Sequence, residues 1–377
     1  MFRLFLSISL SFFALTLTIP AQAQDTTAKQ AIVIDYNTGF VLYEKNADEK
    51  MAPSSMTKVM TTYLALDALE QGRIKADQTF HISEKAWKTG GSRMFVQVGT
   101  DVKVEDLLRG MIVQSGNDAT VAIAEGLSGS EEEFAKAMNQ KAKEFGMSGT
   151  NFTNSHGLSE DNHYSTARDL GTLAIHSIAD HPQHYHYHSE KEFTYNNIKQ
   201  GNRNPLLYRN LGADGLKTGH TDAGGYGLIG TAKNDKDRRV VVVINGLESD
   251  KERADQSASL ISWALNAFDD VTLFKAGETV DQASVILGQQ ASVPLTIEKD
   301  IRVPVPTSLR NDLKVEVVYK GPLQAPIKKG AVVGVLKISV PRVKDFEVPL
   351  VAAADVEKIG LFAGTFAKVL LLVDGGK

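Results

Sequence analysis

Apolar residues crowd the stretches Val59-Met60 and Tyr63-Leu64-Ala65-Leu66, a pattern that predicts a helix buried on most of its sides. The segment from Glu105 to Gln114 has helix-like apolar spacing, and an Ala-rich helical stretch follows from Asp118 to Leu127. Further on the period changes. Gly224 to Ala232, the polar turn Asn234-Asp235-Lys236-Asp237 and the run Val240 to Ile244 read as antiparallel strands around a turn. Past Phe268 the chain breaks into short alternating segments, such as Lys314 to Tyr319 and Val332 to Ile338. Turns at Lys320-Gly321-Pro322 and Lys328-Lys329-Gly330 separate them, which predicts a small β-sandwich without a catalytic constellation.

Both ends carry apolar patterns of their own. Phe2 to Ile19 contains Arg3, a short Leu/Phe/Ile/Ala run and then Ala21-Gln22-Ala23, the form of a secretory signal peptide with a mature start near Gln24. At the other end Val356, Ile359, Phe362, Phe366, Val369, Leu370 and Val373 fall in one sector of a helix. Glu357, Lys358 and Lys368 interrupt it, and spanning a bilayer takes about 20 apolar residues. An amphipathic helix lying in the membrane interface is therefore expected, with docking on the β-rich segment as the alternative. The expected organisation is a signal peptide (1–23), a catalytic domain (24–270), a β-rich domain (271–352) and the amphipathic helix (353–377).

Composition narrows the chemistry. The 377 residues carry a net charge of −4, so nothing points to nucleic acid, and the absence of cysteine excludes disulfides and thiolate metal sites. Histidines gather at His181, His184, His186 and His188. On a strand the last three would face one side, but no acidic residue stands at clear ligand spacing, so no metal or cofactor is assigned.

Three short motifs carry more information: Ser55-Met56-Thr57-Lys58, then Ser115-Gly116-Asn117, then Lys217-Thr218-Gly219. Each is weak alone, and their order is the signal. A serine hydroxyl is a poor nucleophile until a base takes its proton. Three residues apart on a helix, Ser55 and Lys58 share a face, and a serine at the helix N-terminus sits where developing negative charge is favoured. Lys58 can act as a base only if its ammonium is destabilised by burial or by a second cation, for which Lys217 is the candidate. Ser115 and Asn117 lie between two helices, suited to proton relay and to bonding a substrate amide, or simply to capping the second helix. Lys88-Thr89-Gly90 repeats the third motif, but it ends a helix-like segment and precedes Ser115, so it is rejected as catalytic while its loop is expected to border a site.

The ordered trio resembles the signature of penicillin-binding proteins and class A β-lactamases. Asp214-Gly215-Leu216-Lys217-Thr218-Gly219-His220-Thr221-Asp222, Asn154-Ser155-His156-Gly157-Leu158 and Asn202-Arg203-Asn204 are similar to the D-alanyl-D-alanine carboxypeptidases among the low-molecular-mass penicillin-binding proteins. The resemblance implies an α+β catalytic domain of helices and an antiparallel sheet, then a small all-β domain and a terminal amphipathic anchor. It implies that Ser55 forms an acyl-enzyme, Lys58 is its base and Ser115 relays a proton. It further implies that Lys217, Thr218, Arg203 and His220 lie at the substrate's terminal carboxylate, with Gly219 in the same strand. The backbone N–H groups of Ser55 and His220 would form the oxyanion hole.

Peptidoglycan stem peptides, β-lactams and the inner-membrane surface are the implied partners, with a periplasmic, peripherally attached location. Gly116 stands where the β-lactamase pattern has aspartate, and Glu160 beside Asn162 has the wrong spacing for a deacylation base. A D,D-endopeptidase, a β-lactamase and a non-catalytic cell-wall-binding protein are the competing readings.

Overall fold

The computed structural model describes residues 25–360. The predicted signal peptide and residues 361–377 of the predicted terminal helix lie outside them. A five-stranded antiparallel sheet organises the first part, with strands ordered β2-β1-β9-β8-β7. Its members are β1 (Gln30–Asp35), β2 (Val41–Lys45), β7 (Ala213–Thr221), β8 (Gly225–Lys233) and β9 (Arg239–Leu247). The strands predicted from Gly224 to Ala232 and Val240 to Ile244 are β8 and β9, paired through Ile229↔Val243.

The unbroken apolar run in β9 is explained by cover on both faces. Successive side chains of a strand point to opposite sides. Ile32, Ile34, Val241 and Val243 pack with Leu170 and Leu173 of α6 (Ala167–Ala179) and with α1 (Lys58–Glu70). Ala31, Val33, Val240, Val242 and Ile244 pack with Leu260, Ile261 and Ala264 of α7 (Asp250–Asn266). Each valine, leucine or isoleucine among them contributes roughly 1.5–3 kcal/mol on removal from water, before ordering entropy is subtracted.

Between β2 and β7 lie β3 (Thr79–His81), α2 (Glu84–Lys88), β4 (Asp101–Lys103), α3 (Val104–Ile112), α4 (Asn117–Ser128), α5 (Glu131–Glu144), β5 (Glu192–Tyr195) and β6 (Ile198–Gly201). Helix α1 is buried from Lys58 through Leu66, as its apolar run predicts. Ser55 stands at the helix N-terminus as predicted, on a 3-10 turn, Ser54–Thr57, that runs directly into α1 at Lys58. The strand conformation that would have put three histidines on one side does not occur. Tyr185–Ser189 is a 3-10 turn, so His184, His186 and His188 share no strand face: His186 stacks near Tyr187, and His188 is buried. His181 turns to Glu70, 3.1 Å away.

The all-β part starts at Phe268, directly after α7. It holds β10 (Phe268–Phe274), β11 (Thr279–Ile286), β12 (Ser292–Thr296), β13 (Ile301–Pro306), β14 (Lys314–Tyr319), β15 (Leu323–Gln324), β16 (Val332–Ser339) and β17 (Phe346–Ala352). A six-stranded sheet, β14-β16-β17-β12-β11-β15, and the ribbon β10-β13 enclose one apolar core containing Val293, Leu295, Leu336, Ile338 and Leu350. The predicted alternating segments are β14 and β16, paired through Val315↔Ile338.

The first residues of the predicted terminal helix are a correction. Val356 is 1% exposed and exchanges backbone hydrogen bonds with Ile327, at 2.8 and 2.9 Å, in an antiparallel bridge. Ile359 donates from its backbone to Leu287. Residues 353–360 thus form no helix and belong to the β part through bridges at Val356 and Lys358, because a buried valine with both backbone groups paired leaves nothing for a helix to satisfy.

Candidate active site

The sequence places Ser55 and Lys58 three residues apart, and the fold buries what lies around them. Lys58 is fully buried at the start of α1, with Nζ 3.0 Å from Ser55 Oγ. Two further acceptors hold the amine, Asn117 Oδ1 at 2.6 Å and the His156 carbonyl at 2.5 Å. Burial pushes the lysine down to about 7, the Arg203 guanidinium adds to that, and Asp118 and Glu131 oppose it. Arg203 is thus a cation beside Lys58 in addition to the expected Lys217, whose own ammonium Lys58 repels.

Asn117 opens α4 without capping it; the cap residue is Gly116. Its amide is spent inside the protein, with Oδ1 on Lys58 and Nδ2 on the Gly90 carbonyl at 2.7 Å. It holds Lys58 and the neighbouring loop, and one Nδ2 proton and one Oδ1 lone pair remain beyond these two bonds. Ser115 takes a left-handed backbone, φ 65°, and its buried Oγ has no hydrogen-bond partner among the described residues. An unpaired hydroxyl in a cleft is available to a ligand.

Lys217, Thr218 and Gly219 lie on β7, at the edge of the sheet. Lys217 is 4% exposed and donates to the Thr218 carbonyl at 2.9 Å. Burial lowers it well below an ordinary lysine, and Lys58, Arg203 and Arg253 repel it further. Ser55, Ser115, Arg203, Thr218, Gly219 and His220 line one cleft of 440 Å³, together with Ser92, Tyr226, Asp250 and Arg253. Larger clefts exist, such as 700 Å³ between β2 and Arg342–Phe346, but that one gathers none of these groups. The rejected Lys88-Thr89-Gly90 does border the site: Ser92 accepts from the Asn117 backbone, and the Gly90 carbonyl from its side chain.

Sequence reasoning missed Arg253, Tyr226, Asp250 and Glu131. Arg253, on the first turn of α7, donates to the Gly219 carbonyl at 3.3 Å, pairs with Asp250 and lies 5.6 Å from the Tyr226 ring. Ser249 and Glu252 mark that helix start as a capping pair, but nothing local directs Arg253 to β7. Tyr226 stacks on His220, ring centroids 3.9 Å apart. Buried Glu131 accepts from Ser155 N–H and Oγ and from Lys85, fixing the loop whose His156 carbonyl holds Lys58.

A serine against a buried lysine, a second serine facing them and a cationic strand wall define the penicillin-binding class of serine enzymes. The chain belongs to the D-alanyl-D-alanine carboxypeptidase family, which matches residues 17–248. Residues 268–358 match the penicillin-binding protein 5 C-terminal domain. D-alanyl-D-alanine carboxypeptidase DacA of Haemophilus influenzae is 38% identical over 355 residues, covering 93% of this chain and 90% of that protein. The crystal structure of penicillin-binding protein 5 from Haemophilus influenzae aligns with a TM-score of 0.78 at 38% identity, over 89% of this chain and 99% of that one. Penicillin-binding protein D2 of Listeria monocytogenes, solved in its ampicillin-bound form, aligns with a TM-score of 0.59 at 31% identity, over 64% and 98% of the two chains.

Proposed function

We propose that this chain is a serine-type D-Ala-D-Ala carboxypeptidase that removes the terminal D-alanine from peptidoglycan stem peptides through an acyl-enzyme on Ser55. The carrying observation is the contact between Lys58 Nζ and Ser55 Oγ, with the lysine buried so that it is lowered to about 7. The neutral amine takes the serine proton as Oγ attacks the penultimate carbonyl, and the backbone N–H groups of Ser55 and His220 receive the oxyanion. Ser115, with its unpaired hydroxyl, relays the proton taken up by Lys58 to the departing D-alanine amine, which returns Lys58 to the neutral amine. Water then hydrolyses the ester.

The substrate's free carboxylate sits against Lys217, Thr218 and Arg203, and against Arg253, whose place in the lining of the same cleft supports that role. A bound carboxylate favours the protonated form of Lys217. Two buried ammonium groups repel each other, so Lys58 is left as the amine. β-Lactams carry a comparable carboxylate beside a reactive amide and acylate the same serine, a reading supported by the ampicillin-bound relative.

The sequence patterns at both ends support export across the inner membrane and peripheral attachment to it, with residues 361–377 as the attaching segment. The catalytic unit runs from the mature start to Asn266, and the β unit from Phe268 to Gly360. Incubating the protein with a D-Ala-D-Ala stem pentapeptide and with a crosslinked dimer, then weighing the products, tests the main reading. Release of D-alanine from the pentapeptide with the dimer left intact is expected, and preferential cleavage of the dimer makes it an endopeptidase. Removing 361–377 should shift the protein to the soluble fraction with peptidase activity intact.

A further inference from the structure

The proposed reaction uses none of the histidines between His181 and His188, yet one of them packs behind the strand that carries Lys217. On the 3-10 turn Tyr185–Ser189, His188 is 2% exposed, its Nδ1 has no hydrogen-bond partner among the described residues, and its ring lies close enough to the Leu216 backbone, one residue before Lys217, to feel that carbonyl. The Tyr185 ring lies beside it, centroids 5.3 Å apart. The Tyr185 hydroxyl pairs with Thr231 Oγ1 of β8 at 2.7 Å, and Thr231 donates to Asp214 Oδ1 at 2.7 Å. Arg239 of β9 holds both oxygens of Asp214, and its guanidinium lies 5.4 Å from the Tyr185 ring. The turn is thereby tied to three adjacent strands.

Its fit against β7 leaves no slack. A Cβ on Gly215 would come within 2.5 Å of the Tyr185 hydroxyl and 3.5 Å of His188 Cβ. Beyond Lys217, a Cβ on Gly219 would come within 2.9 Å of the Pro53 carbonyl, on the segment that leads into Ser55. Lys217-Thr218-Gly219 is thus gripped between two 3-10 turns, one bearing Ser55 and the other bearing Tyr185 and His188. Burial keeps the His188 imidazole neutral, pushed down to about 4 with Lys217 adding to the effect and Asp214 opposing it. A neutral group here adds no further cation next to a lysine that already has three for neighbours.

We propose that Tyr185 and His188 are positioning residues that set where Lys217 stands relative to Ser55, and so how well the cleft takes a substrate ending in a free carboxylate. The inference rests on the reading of Lys217 as the carboxylate's partner. The test compares kcat/KM of the full chain on a D-Ala-D-Ala peptide and on its C-terminal amide. His188→Leu should lose about tenfold with the free acid, mostly through KM, and less than about twofold with the amide. His188→Gln, uncharged, polar and of similar reach to the imidazole, should recover most of that loss. Equal losses on both peptides while Lys217→Ala still discriminates between them overturn the proposal and leave the carboxylate reading standing.

If Lys217→Ala does not discriminate, the carboxylate reading has failed, and penicillin acylation decides the positioning claim; the same assay decides if His188→Leu does not fold. Gly215→Ala should slow acylation about tenfold, and adding Tyr185→Phe, which removes the hydroxyl the new methyl meets, should restore it. A double variant as slow as Gly215→Ala alone overturns the proposal.

Discussion

Around Ser55 the protein buries two lysines, an asparagine amide and an unpaired serine hydroxyl. The β unit after Phe268 buries one polar side chain among its described residues, Thr296, and keeps ion pairs such as Lys328–Glu357 and Lys337–Glu347 at the surface. Burying charge without a counter-ion costs free energy, and surface pairs contribute little. The β unit is therefore arranged for stability, whereas the cleft holds groups whose reactivity depends on being kept from water. Changes in the two regions should separate: in the cleft they should cost activity and spare the fold, and in the β core the reverse.

The largest effect tests that separation directly. Ser55→Ala should abolish both the penicillin adduct, read by intact mass, and peptidase activity, with the melting temperature unchanged. An adduct persisting on another residue would remove Ser55 from its role. Its counterpart is Leu336→Ala in the β core, expected to destabilise by about 2–5 kcal/mol in denaturant while the folded fraction acylates at the normal rate. A slower acylation by the folded fraction would mean the two regions are coupled.

Within the cleft, Lys217→Ala should cost about 2–5 kcal/mol of transition-state binding on peptides ending in a free carboxylate, and much less on amidated ones. Equal losses would mean that Lys217 acts chiefly on Lys58. The pH profile is a smaller and independent reading of the same site. Lys58, lowered to about 7, is a base only when unprotonated, so penicillin acylation should fall about tenfold per unit below that value and level off above it. A profile flat across neutrality would exclude Lys58 as the base. The smallest effect belongs to the duplicate motif: Lys88 is an exposed partner of Glu84, and Lys88→Ala should leave acylation unchanged and shift stability by less than about 0.5 kcal/mol.

That duplicate shows what a motif is worth. Lys-Thr-Gly occurs twice, and chain order together with the strand pattern after Gly224 identified the one on β7. The buried helix from Lys58, the antiparallel β8 and β9 and the alternating β unit were all legible, because their periods follow from side chains within a few residues of one another. Ser55 and Lys58 were legible for the same reason. The start of the terminal helix was misread, and the sequence leaves the conformation of the histidine segment open. In both, long-range contacts with β7 and with Ile327 override the local pattern.

By itself the sequence determined which groups are present, in what order, and which neighbours along the chain share a face: a serine three residues from a lysine, a second serine before a helix, a lysine on a strand. Only the tertiary structure decided what makes them reactive. The His156 carbonyl that holds Lys58 comes from 98 residues away, and the desolvation that lowers the lysine is a property of the closed core. Arg203 as a neighbouring cation, Arg253 against Gly219 and His188 behind Leu216 arise the same way. Desolvation and charge proximity depend on distance in space, which a linear pattern specifies only through the fold it produces.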